Sequence, residues 1–229
     1  MEIIPVIDVM GGKVVHARGG KRAEYRPLES ILTTSHDPIE VIKDLLAFMP
    51  FSTIYIADLD AIMNGKRNNA LYSALSRAYS HINLYLDAGV TDKLSWQSLM
   101  TNENIFPVIG SETLLESDWL ADAEVHKKSI LSLDFKRGDF LGEEQLLNTP
   151  DLWPEQIIAM NLDCIGAESG PDLELLADLN NKSNCSIIAA GGVRAEQDLM
   201  ALQQRGIKRV LVASALHNGR INKKVVDSI

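Results

Sequence analysis

Eight short apolar, β-branched runs alternate with amphipathic stretches along this chain, and that alternation restricts its fold more than any other feature. The runs cover residues 3–9, 53–57, 83–86, 105–109, 129–133, 157–162, 186–189 and 209–212. Most are apolar almost throughout, the pattern of parallel strands buried on both faces. Helix signals lie between them. Asp37-Pro38 precedes an amphipathic stretch over 39–48, Gly170-Pro171 precedes one over 172–179, and a stretch over 195–205 stops at Gly206. Proline in a first helical turn forfeits no hydrogen bond, and glycine just past the last turn supplies a stop. Eight strand–helix units predict an α/β fold, a closed (β/α)8 barrel in one domain over 1–229. No Gly-x-Gly-x-x-Gly follows the first run, which argues against an open dinucleotide-binding sheet.

The chain also repeats itself. A shift of 103 positions lays Leu59-Asp60 on Leu162-Asp163, Gly89-Val90 on Gly192-Val193, and Ser111 on Ser214. The matches cluster at the C-terminal ends of corresponding strands. Asp8 and Asp134 correspond at a different offset, 126, and each is followed by a glycine-containing turn and a short extended piece. These matches predict two half-barrels, roughly 1–124 and 125–229.

In such a barrel the C-terminal strand ends share one mouth, where chemistry is done. The sequence puts carboxylates there repeatedly: Asp8, Asp58, Asp60, Asp87, Asp134 and Asp163. Clustered carboxylates cannot all ionise cheaply in a partly desolvated cleft, so one holds a proton while another accepts one. Asp8 and Asp134, equivalent in the two halves, are the predicted acid–base pair. Strand alternation would place Asp58 and Asp60 on one face, where with Asp87 and Asp163 they are expected to orient substrate.

Small residues at the last two strand ends, Ala190-Gly191-Gly192 and Ala213-Ser214, let backbone N–H groups approach an anion, and these two loops are the usual phosphate site of the fold. Arg194 is adjacent. The equivalent first-half segments are Asp87-Ala88-Gly89 and Gly110-Ser111. A carboxylate beside phosphate costs about 4 kcal/mol per unit-charge pair at 4 Å in a medium of dielectric 20, so the first-half site is expected to be weakened or repurposed.

Other chemistries have less support. The five histidines show no i, i+4 metal spacing, and no Gly-x-Ser-x-Gly elbow exists. Met160 on the sixth strand leaves no lysine there for a Schiff base. Lys13 and Lys136 fall in turns and are expected to be solvated; the three tryptophans are expected to pack. No organic cofactor is implied, and a divalent metal held by Asp oxygens is the alternative. Acidic residues outnumber basic ones by 31 to 22, a net charge of −9 that repels phosphate backbones and anionic lipid, so neither nucleic acid nor membrane is an expected partner. The N-terminus has no basic leader, no run is long enough to span a bilayer, and two cysteines suit a reducing cytoplasm.

The opening Ile3-Ile4-Pro5-Val6-Ile7-Asp8 with Gly12-Lys13-Val14-Val15, Ala57-Asp58-Leu59, Ile109-Gly110-Ser111, Leu133-Asp134, Ala190-Gly191-Gly192-Val193 and Ala213-Ser214-Ala215 resembles two histidine-biosynthesis barrels. These are the phosphoribosylformimino-aminoimidazole carboxamide ribotide isomerase and the imidazole glycerol phosphate synthase cyclase. The resemblance covers nearly the whole chain. It implies a half-barrel duplication, Asp8 and Asp134 as acid and base, and phosphate loops after strands four, seven and eight, at Gly110-Ser111, Gly191-Gly192 and Ala213-Ser214. The chain departs from the isomerase where a Thr-Asp pair reads Met160-Asn161, an Asp-Gly-Thr segment reads Ile165-Gly166-Ala167, and a triple glycine reads Asp87-Ala88-Gly89. It looks closer to an uncharacterised isomerase-like branch of methanogens and methylotrophs, organisms that use tetrahydromethanopterin in one-carbon metabolism. The expectation is an isomerase-type enzyme on a small phosphorylated, aminoribosyl-like metabolite. The alternatives are a metal-assisted condensation or lyase in pterin or furan cofactor metabolism, and a non-catalytic barrel acting as a binding partner.

Overall fold

A computed structural model of the chain describes residues 1–17, 24–166 and 169–229. Eight parallel strands close into a barrel: β1 (Glu2–Met10), β2 (Thr53–Asp58), β3 (Asn83–Asp87), β4 (Ile105–Gly110), β5 (Ile130–Lys136), β6 (Gln156–Asn161), β7 (Ser186–Ala190) and β8 (Arg209–Val212). Each pairs with the next, and β8 returns to β1 through Glu2↔Arg209 to Pro5↔Val212. The connections carry helices α1 (Pro38–Phe48), α2 (Leu59–Asn64), α3 (Asn69–Ala78), α4 (Lys93–Gln97), α5 (Ala123–Lys128), α6 (Glu144–Asn148), α7 (Leu173–Lys182), α8 (Glu196–Gln204), α9 (Ser214–His217) and α10 (Lys223–Asp227). Among the described residues, no helix is long and apolar enough to cross a membrane.

The near-continuous apolar runs fill two layers. Along β2, Tyr55 and Ala57 join an interior cluster with Ile4, Tyr85, Val108, Ile130, Ile158, Ile188 and Leu211. Ile54 and Ile56 face outward into the larger cluster between sheet and helices, with Val41, Leu45, Leu75, Leu176, Leu199 and Leu202. Both strand faces are therefore dry, and a single charge on either would be costly. At the N-terminal end the barrel is plugged by polar side chains that satisfy one another. The Arg209 guanidinium donates to Glu2 Oε2 (2.7 Å), to the Tyr85 hydroxyl (2.6 Å) and to Gln156 Oε1.

Local signals explain where the helices start. The Asp37 carboxylate accepts from Ile39 N (2.9 Å) and Glu40 N (3.2 Å), with Pro38 in the first turn. Helix α7 departs from expectation: Asp172 caps it by accepting from Leu175 N (3.0 Å), so Pro171 lies ahead of the helix and not in its first turn. Trp96 and Trp153 are buried, donating to Ser129 Oγ (2.6 Å) and Leu146 O (2.8 Å), and Trp119 packs against Trp96. Both cysteines are free and half-buried.

Two antiparallel hairpins fold back over the mouth at equivalent places. After β1 the turn Gly11-Gly12 leads into strand Lys13–His16; after β5 the turn Arg137-Gly138 leads into strand Asp139–Phe140. All four turn residues have positive φ, at 58°, 74°, 55° and 81°, the conformation a two-residue hairpin of this twist requires. Arg137 is the one non-glycine residue with positive φ among the described residues. Each turn is held by a carboxylate from the strand end beyond it: Gly11 N donates to Asp60 Oδ2 (2.6 Å), and Arg137 N donates to Asp163 Oδ2.

Candidate functional site

The C-terminal ends of the strands surround one cavity of about 870 Å³. Of the predicted site residues, Asp8, Asp87, Asp134, Gly191, Gly192, Ala213 and Ser214 line it. Asp8 on β1 and Asp134 on β5 come from diametrically opposed strands, four steps apart in either direction round the barrel.

Asp134 is almost wholly buried. Ser132 Oγ donates to its Oδ1 (2.7 Å), and Ser111 Oγ (3.2 Å) and Glu112 N (3.4 Å) donate to its Oδ2. Burial pushes its pKa up to about 7. The charges of Asp87 and Glu112 push the same way, against the hydrogen bond from Ser132. At neutral pH this carboxyl therefore exchanges its proton, as a catalytic acid or base must. Beneath it lies Tyr55, fully enclosed, whose hydroxyl donates to Asp87 Oδ2 (3.1 Å). Burial and then the charges of Asp87, Asp134 and Asp8 hold that phenol well above its ordinary range, so it stays a donor.

The opposite wall is built for close backbone approach. Gly191 and Gly192 have φ of 96° and 80°. A Cβ at Gly191 would lie 2.9 Å from Asn161 O, and one at Gly192 would overlap Gly170 O. These are glycines because the chain passes too close to its neighbours for any side chain. Ser214 begins α9 with its Oγ 3.1 Å from His16 Nε2. Arg194 lines the cavity, but Nε and Nη2 grip Asp198 at 2.9 and 2.7 Å, which restrains its use as an anion ligand.

Five predicted residues lie off this cavity, each for a visible reason. Strand β2 ends at Asp58 and α2 begins at Leu59, so strand alternation does not extend to Asp60. Asp58 is buried as the cap of α2, accepting from Ala61 N (3.1 Å), from Asn68 N (3.4 Å) and from the Tyr72 hydroxyl. Asp60 and Asp163 hold the two hairpin turns. Asp58 and Asp60 instead border a separate recess of about 430 Å³ with Gly11, Gly12, Lys66 and Asn68. Gly110 and Ser111 lie behind Asp134: Ser111 Oγ also accepts from Asp134 N (2.9 Å), and a Cβ on Gly110 would lie 3.4 Å from Asp134 Oδ2. Their loop braces the carboxylate instead of opening to an anion. Ala167 lies outside the described residues. Among those described, no three His, Cys, Asp or Glu side chains gather as a metal-binding group.

Sequence reasoning passed over Tyr55, His16 and Lys136, all of which line the cavity. Tyr55 is hidden inside an apolar run, where an aromatic reads as packing. Lys136, expected in solvent, is the last residue of β5 and half-buried. The signal for His16 was the hairpin after Asp8, which carries it back over the mouth.

The family model described as histidine biosynthesis protein matches residues 2–222. The chain belongs to that family. It is 32% identical over 224 residues to an uncharacterised protein of Methanocaldococcus jannaschii, covering 96% of this chain and 94% of that one. It is 26% identical over 239 residues to the phosphoribosyl imidazole carboxamide isomerase of Gemmatimonas aurantiaca, covering 98% and 97%. To that isomerase from Bacteroides fragilis it is 27% identical over 246 residues, covering 100% and 99%.

Proposed function

We propose that this family member is an isomerase for a small metabolite bearing one phosphate, with Asp134 as acid and Asp8 as base. The observation that carries the reading is one cavity lined by two opposed aspartates, Asp8 and a buried Asp134 whose pKa burial pushes up to about 7, and by Gly191 and Gly192. In the reaction we infer, Asp134 protonates the ring oxygen of an aminosugar as the C1–O bond breaks, leaving a C1=N iminium. Asp8 then removes the C2 proton, giving an enolamine that tautomerises to the ketone. Gly191, Gly192, Ala213 and Ser214 hold the phosphate, and Asp87 orients the other end.

The substrate named for the isomerase relatives carries two phosphoribosyl groups. Here the rim that would take a second phosphate bears Asp87, while Ser111 is bonded to Asp134. Two anionic ends would oppose each other's binding here, so a singly phosphorylated substrate with an amine or hydroxyl at its far end fits better. This reading also takes the barrel as two half-barrels, roughly 1–124 and 125–229, supported by the matched hairpins and their Asp60 and Asp163 braces.

The test is turnover of singly phosphorylated aminoaldoses by wild type, Asp8→Asn and Asp134→Asn. Both variants should remain folded, with wild-type circular dichroism, and lose about 10²–10⁴ in rate, the range for a general acid or base. Turnover retained in both would remove the mechanism.

A further inference from the structure

Of the basic groups near the glycine wall, Arg194 is paired with Asp198 and His217 is held neutral. His217 is buried at the end of α9, its Nδ1 is 2.8 Å from Ser30 Oγ, and burial with the neighbouring His16 pushes its pKa down to about 4. His16 is placed differently. It ends the hairpin strand Lys13–His16, which runs antiparallel to β1 with Val15 opposite Asp8, and it faces the cavity. Its Nε2 reaches Ser214 Oγ across 198 residues of sequence.

We propose that His16 completes the anion cradle: its Nε2–H donates to Ser214 Oγ, turns the hydroxyl proton of Ser214 toward the bound anion, and sets an imidazolium charge beside it. This inference rests on the phosphate-binding role given above to Gly191, Gly192 and Ser214, and it adds a residue from the other half of the chain. The charged neighbours are Asp8 on β1, Glu24, Arg26 and Glu29 on the segment paired with the hairpin, His36 ahead of α1, His217 and Arg220 beside α9, and Asp134 across the cavity. Arg26 and Arg220 keep a fixed charge, and His217 is neutral above about pH 4. Asp134 loses its proton near pH 7, and its charge then opposes anion binding.

Sulfate is the suitable probe, because it is a dianion at pH 6. Calorimetry at pH 6 should show His16→Gln binding sulfate roughly tenfold more weakly than wild type, the equivalent of one charge-assisted hydrogen bond. His16→Lys, which keeps the charge, should stay within about threefold of wild type on the same scale. Equal sulfate affinity in wild type and His16→Gln overturns the role of His16 alone. Absence of sulfate binding by wild type overturns the cradle itself and this inference with it.

Discussion

The strand ends after β3 and β7 share a backbone and differ in chemistry. Gly89 and Gly192 both take left-handed φ, 61° and 80°, and at each a Cβ would press on a backbone oxygen, that of Ala61 or Gly170. The residue two places before each glycine is Asp87 in one and Ala190 in the other. The next strand ends repeat the contrast. Ser111 is bonded to Asp134 both as donor and as acceptor, while Ser214 borders the cavity with His16. Packing fixes the glycine conformation in both places, so the shape persists. In the proposed reading, one side chain at each rim decides whether that shape receives an anion or tunes a carboxyl.

The largest expected effect concerns the acidic side. Folded Asp134 holds its proton to about pH 7, against 3.8 for an ordinary aspartate. The folded state binds that proton more tightly than the unfolded one, so the stability this group contributes at low pH is lost as pH rises from about 4 through about 7. The loss amounts to roughly 4 kcal/mol and levels off above that range. Denaturant midpoints of wild type and Asp134→Asn should therefore diverge in favour of the variant between pH 4 and 8. Parallel curves would mean that burial and the neighbouring charges do not shift this carboxyl. Asp87→Asn should move the Asp134 titration downward, read from the carboxyl carbon resonance.

Next come the paired glycines. Gly192→Ala meets both a left-handed φ and a backbone overlap, and should destabilise by about 3 kcal/mol or more. Gly89→Ala meets Ala61 O at 2.8 Å and should cost about 1–3 kcal/mol. The second comparison separates fold from ligand: only Gly192→Ala should also weaken phosphate binding, measured by calorimetry on the folded fraction.

The smallest effects belong to the hairpin braces. Asp60→Ala and Asp163→Ala each remove one carboxylate that accepts a hydrogen bond from a turn N–H. Each should cost about 1–2 kcal/mol in chemical denaturation, with phosphate affinity unchanged. A loss of affinity in either variant would return that aspartate to the binding site.

These braces also mark where the sequence was legible. The apolar runs predict all eight strands because burial on both faces leaves few polar positions within them, most of those near strand ends. The places of Asp8 and Asp134 at the mouth were legible because each closes an apolar stretch just before a turn. Asp60 was misplaced because the alternation rule applies only while the chain stays extended, and Asp58 stops the strand by capping the next helix. The contact of His16 with Ser214 joins residues 198 apart, and no local pattern announces it. Tyr55 is chemically silent in a run of Ile and Ala until β3 brings Asp87 beside it.

The central claim is that the mouth holds one anion, at the β7–β8 wall, facing a carboxyl that exchanges its proton. Titration of inorganic phosphate into the isotope-labelled protein, followed by amide resonances, tests it directly. The account predicts one phosphate per chain, with shifts concentrated at Gly191, Gly192, Ala213 and Ser214 and small changes at Gly110 and Ser111. Two phosphates per chain, or the largest shifts at Gly89, Gly110 and Ser111, would contradict it.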